Sequence, residues 1–243
     1  MGLDELFGRK KEEKPAEGAA AQHEQTDALE KLETQAAYYR RIISRYAALV
    51  NENEEKTVPE LKALVDKNTE TVQQLKAQAL EQTAANKKAS GTLPEGWRYD
   101  YEKDFLFAAG PAFAIVRGIR QVHSEVSVSF WLSQKEILEV GAADVFDKAL
   151  LLCSLLQALG AQAKVLVLEL ENNTIHPVTV LEYSGRAYLL DASQRESQLT
   201  TYCGEQEEVL KGFSFGGAKF LKKSYEFDAN NYKEFEAADS GTN

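Results

Sequence analysis

Phe146-Asp-Lys-Ala-Leu-Leu-Leu-Cys-Ser-Leu-Leu-Gln-Ala-Leu159, closed by Gly160, is apolar on almost every side of a helical wheel. A helix with no polar face is enclosed by other elements, and the glycine after it is the residue that a left-handed C-terminal cap prefers. Working outward, Ser133 followed three residues later by Glu136 predicts a capped helix over Gln134–Val140. Further upstream, Gly110-Pro111 before Ala112, Phe113, Ile115, Val116 and Ile119 predicts a buried helix that begins at the proline. Between them, Val126, Val128 and Phe130 alternate with polar residues, the pattern of a short strand or an extended lead-in.

Downstream of Gly160 lie three β-rich runs: Ala163–Leu170, His176–Tyr183 and Arg186–Ala192. Ser184-Gly185 is a two-residue turn, so the last two runs form a hairpin in which position 178 opposes 191 and 176 opposes 193. His176 and Asp191 then share a face as diagonal neighbours, about 7 to 8 Å apart in the backbone and within reach of a side-chain hydrogen bond. A core helix followed by antiparallel strands is an α+β layout. Residues 205–235 predict a short helix at Glu207–Lys211, glycine turns, and closing strands near Phe220-Leu221 and Tyr225–Phe227. Phe213, Phe215, Phe220, Tyr225, Phe227, Tyr232 and Phe235 recur there at the spacing of sheet packing.

The first third differs in kind. Residues 8–25 are charged and rich in Ala, Gln and Gly, with no apolar period, and read as part of a disordered tether spanning 1–25. Leu3, Leu6 and Phe7 ahead of Arg9, Lys10 and Lys11 leave residues 1–11 a weak candidate for membrane contact. Then Leu29, Leu32, Ala36, Tyr39, Ile43, Tyr46 and Val50 step alternately by three and four, the seam of a heptad helix, with Asp27 and Glu30 placed as a capping box. Thr57-Val-Pro59-Glu60 opens a second helix whose seam is Leu61, Val65, Asn68, Val72, Leu75, Ala79 and Gln82. The short connection predicts an antiparallel helical hairpin over 26–90, with helices 27–52 and 57–87 offered to a protein partner or to a second copy. Ser90-Gly91 through Pro94-Glu-Gly96 marks a boundary, and 94–236 forms the second domain before an acidic tail over 237–243.

The composition narrows the functions. The 243 residues carry a net charge of −10, which disfavours binding to nucleic acid outside a local basic patch. No apolar run reaches the roughly 18 residues of a membrane span. Two cysteines are too few for a disulfide framework, and the start has no signal-peptide pattern, so a cytoplasmic location is expected. No CxxC or HxxxH spacing and no phosphate-loop pattern occurs, so neither metal nor cofactor is expected.

Taken together, Trp131, Ser133, Glu136, Gly141, Asp144, Val145, Asp147 and the helix to Gly160, then His176 opening one strand and Leu190-Asp191-Ala-Ser193 closing the next, resemble the transglutaminase-like core over about residues 125–195. The family comprises thiol proteases, transglutaminases and amidases. The resemblance implies a core helix packed on an antiparallel sheet, with a cleft formed by Trp131, Asp144, Val145, His176 and Asp191. It also implies that His176 and Asp191 stand where the family has its base and orienting acid, while Val145 occupies the slot of the nucleophilic cysteine. Acyl transfer needs a thiolate, and valine has none. The expectation is therefore a catalytically inactive protein that binds or scaffolds through its helices and a degenerate cleft. The alternatives are an active cysteine hydrolase or acyltransferase using Cys153 or Cys203, and a purely architectural domain. Ser193 and Ser154 are weaker hydroxyl candidates.

Overall fold

Thr69 accepts a hydrogen bond from the amide of Val72 at 3.3 Å, and this cap splits what the sequence pattern predicts as one long second helix. The computed structural model describes residues 17–123 and 130–235. In chain order the helices are α1 (Glu17–Glu54), α2 (Val58–Ala63), α3 (Glu70–Ala89), α4 (Tyr101–Gly118), α5 (Gln134–Val140), α6 (Val145–Ala158) and α7 (Gln206–Gly212). The strands are β1 (Arg120–Gln121), β2 (Ala142–Ala143), β3 (Lys164–Leu170), β4 (Ile175–Tyr183), β5 (Arg186–Leu190), β6 (Cys203–Gly204), β7 (Ser214–Phe215), β8 (Ala218–Phe227) and β9 (Tyr232–Glu234).

The described residues divide into two compact units, the first ending at Glu52 and the second beginning at Asn53. This corrects the boundary placed at 90–94. The predicted second arm belongs to the C-terminal unit, where Leu61, Val65, Val72, Leu75 and Ala79 are buried in one core with α4 and α6. Between α2 and α3, Asp66 accepts the Asn68 amide at 2.7 Å and the Lys67 carbonyl accepts the Gln73 side chain at 2.6 Å. Such local bonds offer the backbone an alternative to continued helix. The Asn68 that interrupts the seam was the sign of that break.

In the first unit, α1 starts at Glu17 rather than at residue 27, so Asp27 lies inside the helix and residues 17–25 are not a structureless tether. Residues 1–16 and 236–243, with the predicted membrane-touching start and acidic tail, lie outside the described residues, as does most of the strand predicted before Trp131. Among the described residues no helix is long and apolar enough to cross a membrane.

The second unit mixes helices with an antiparallel sheet, as predicted. Strand order is β6-β5-β4-β3-β8-β7, with β9 on β8, and β1 and β2 form a separate parallel pair. Helix α6 packs on one face of the sheet, with α3 and α4 against α6, and α7 packs on the other face. Alternation along each strand assigns the two faces. Val165, Val167, Leu181, Tyr188 and Leu190 join the α6 core, whereas Leu166, Leu168, Val178 and Leu189 join Val209, Leu210 and Phe213 on the α7 side. Ten residues of α6, from Asp147 to Leu156, are buried, and each enclosed leucine contributes about 1.5 to 3 kcal/mol. Ser184 (φ 51°) and Gly185 (φ 71°) form the turn between β4 and β5, the left-handed pair that matches strand twist.

The helix predicted to start at Pro111 starts instead at Tyr101, capped by Asp100, with the proline inside it. Proline lacks the N–H that would bond the carbonyl of residue 107. The Thr83 hydroxyl of α3 lies 3.3 Å from that carbonyl and 2.7 Å from the Ala79 carbonyl of its own helix, so the two acceptors share its single proton. Packing against α3 thus brings a shared donor to the carbonyl that the proline leaves without a helical one. The capping boxes of α5 (Ser133 with Glu136) and α6 (Asp144 with Asp147) are both formed.

Candidate functional site

The β4–β5 ladder pairs Thr179 with Leu190 and Val180 with Leu189, which continues to the predicted opposition of 178 and 191. His176 and Asp191 consequently meet: the Nε2–H of the imidazole donates to Asp191 Oδ2 at 2.8 Å, and the two side chains are 2% and 1% exposed. The rest of the carboxylate is also satisfied. Oδ1 accepts the Ser193 amide at 2.9 Å and the Ser193 hydroxyl at 2.5 Å, while Oδ2 also accepts Gln194 Nε2 at 2.9 Å. Burial pushes the Asp191 carboxyl up, but the His176 ring and these Ser193 donors outweigh it and hold it below the usual carboxylate range.

The direction in which this pair points is decided by the sheet. Thr179 donates to the Ala149 carbonyl of α6 at 3.0 Å, so odd positions of β4 face α6. His176 pairs directly with Leu168, a residue of the α7-side core, and faces the other way. There its ring stacks on Phe215 with centroids 4.0 Å apart, and Phe213 lies at 5.7 Å. The aromatic alternation at 213 and 215 was visible in the sequence, but nothing there tied it to the histidine.

The other expected cleft residues stand elsewhere. Asp144 caps α6, accepting the Asp147 amide at 2.8 Å, and Val145 is the first residue of that helix. Trp131 donates its indole N–H to the Glu54 carbonyl at 3.1 Å and packs edge-on to Phe146. Among the described residues, no hydrogen bond or ring contact joins Trp131, Asp144 or Val145 to the His176–Asp191 pair. From α6 it is instead Lys148, a residue the sequence pattern did not single out, that bonds the backbone next to Asp191. Its buried ammonium donates to the carbonyls of Ala192 at 3.3 Å and Arg117 at 3.4 Å. Burial pushes the Lys148 ammonium down from its ordinary value, against the attraction of Asp191. A lysine in an otherwise apolar helical run was the available signal.

Solved structures that resemble this chain include Legionella pneumophila LapG. The EGTA-treated form is 16% identical with a TM-score of 0.43, over 68% of this chain and 86% of that one. The calcium-bound form is 13% identical with a TM-score of 0.38, over 70% and 92%. No protein-family model and no curated protein matches the chain.

Neither thiol shares the surroundings of His176. Cys153 is wholly buried within α6, where burial pushes its thiol far up. Cys203 pairs with Tyr188 across β5 and β6 and packs on the α6-side core. Of the hydroxyls, Ser193 is committed to Asp191, and Ser154 donates to Leu150 and accepts from Gln134 inside the core. Among the described residues no cluster of three or more His, Cys, Asp or Glu side chains could hold a metal ion. A cavity of about 530 Å³ opens on the α7 side, over Leu166, Val180 and Leu189 and beside Val209 and Leu210, and none of the five expected cleft residues lines it.

Proposed function

We propose that this protein is a binding or scaffolding module built on a transglutaminase-like domain that has no working nucleophile. The observation that carries this reading is the pairing of an intact His176–Asp191 hydrogen bond with the absence of a thiol beside it. A general base must reach the proton it removes, and a nucleophile must lie within hydrogen-bond reach of that base. Here the ring is buried, one nitrogen is held by Asp191, and one face is covered by Phe215. The side chains that can form a sulfur nucleophile, Cys153 and Cys203, belong to the opposite core. Held this way, the pair pins the start of β4 to the loop after β5.

Thiol labelling of the folded protein at neutral pH tests the proposal. Cys153 is expected to remain unlabelled, and Cys203 to react no faster than an ordinary thiol, with the rate unchanged in His176→Ala. Fast labelling of either cysteine that disappears in His176→Ala would overturn the reading in favour of a cysteine hydrolase or acyltransferase.

A further inference from the structure

Helix α1 carries Leu29, Leu32, Tyr39, Ile43 and Tyr46 between 41% and 62% exposed, on one heptad seam with Ala36 and Val50. A continuous stripe of large apolar side chains in water marks a contact surface. We propose that the occupant is a second copy of the same helix, running antiparallel, in a register centred between Ala37 and Tyr38. The pairing deepens the scaffolding proposal and rests on it only for the role of this helix.

Three features of the sequence on that face select the register. It sets Leu29 against Tyr46 of the second copy, Leu32 against the equal-sized Ile43, and Ala36 against Tyr39, so each tyrosine meets a smaller residue. Close-packed interfaces need such volume matching. It also sets Glu33 against Arg40, the positions flanking the seam on one side, and twofold symmetry repeats the pair. On the other flank Ile42 and Leu49 cover Gln35 and Ala28, which widens the apolar contact. A parallel register offers none of this. It stacks Tyr39 on Tyr39 and Ala36 on Ala36, crowding one layer and leaving a void in the next, and it sets Glu33 against Ala28 and Arg40 against Gln35.

The full chain in a Cys203→Ser background provides the test. Sedimentation is expected to give twice the monomer mass, and Leu32→Glu with Ile43→Glu to give a monomer whose thermal unfolding matches the parent. Glu33→Arg is expected to weaken the dimer roughly five-fold, and Arg40→Glu in the same chain to restore it. Under mild oxidation Leu29→Cys and Tyr46→Cys chains should cross-link when mixed and not when alone, because the antiparallel register separates two copies of position 29 by about 25 Å along the axis. A monomer at every concentration, a dimer that survives the double glutamate substitution, or cross-linking of Leu29→Cys to itself would each overturn the proposal. None of these outcomes bears on the thiol labelling that tests the sheet.

Discussion

The hydroxyl of Thr83 reaches the carbonyl of Phe107, the one acceptor in α4 that Pro111 leaves without a helical donor. The same hydroxyl lies 2.7 Å from the Ala79 carbonyl of its own helix, and Thr83 is 1% exposed. One buried hydroxyl, with a single proton to give, is therefore shared between carbonyls of two helices at the point where they pack.

Thr83→Val keeps the shape and removes the donor, so it should cost about 1 kcal/mol. In a Pro111→Ala background the restored amide takes over the Phe107 carbonyl, and the cost of Thr83→Val should shrink. Urea unfolding of the two single variants and the double variant measures the coupling. Additive losses would show that the hydroxyl does not compensate for the proline.

Asp147 governs the pH response of the α6 start. Burial, with the neighbouring Asp144 charge second, pushes its carboxyl up to about 7, while the Leu132 and Asp144 amides pull it down. Its folded value lies above the unfolded value near 4, so the folded state holds the extra proton between them. Stability from this group is full below about pH 4 and is lost as pH rises through about 7, by on the order of 2 to 4 kcal/mol. Asp147→Asn should flatten that decline in denaturant midpoints measured from pH 5 to 8. A decline of unchanged size would assign it to another group.

Val145→Cys places a thiol at the first position of α6, where helix N-termini favour thiolate. Because His176 faces the α7 side, the alkylation pH profile of this thiol should be the same with His176 and with His176→Ala. A thiol whose apparent value rises on removing the imidazole would put the histidine on the α6 side and contradict the face assignment.

Gly160 has φ 104°, and an added Cβ would lie 3.0 Å from the Tyr101 ring. Gly160→Ala should destabilise by roughly 1 to 3 kcal/mol through backbone strain and displacement of that ring. Thermal unfolding of this variant beside Gly185→Ala, where φ is positive but nothing lies within 4 Å, separates the two contributions. Equal losses would leave no role for the Tyr101 contact.

The hydrophobic pattern was enough to find α6, because a run of leucines with no polar face can only be enclosed, and enough to find the β4–β5 register, because a two-residue turn leaves no slack. From that register the meeting of His176 with Asp191 followed. Which face of the sheet the pair occupies did not follow: β3 and β4 are apolar on both sides, so alternation carries no mark of inside and outside. The packing of α6 against Thr179 and of Phe213 and Phe215 against His176 settled it. The second heptad helix failed for a related reason. A stripe of Val72, Leu75 and Ala79 records that something covers it, and only the tertiary structure decided that α4 and α6 of its own chain do so. Local spacing thus determined the elements and their registers, whose hydrogen bonds are short in sequence. Partners of apolar faces came from the fold, because burial is indifferent to which apolar surface excludes the water.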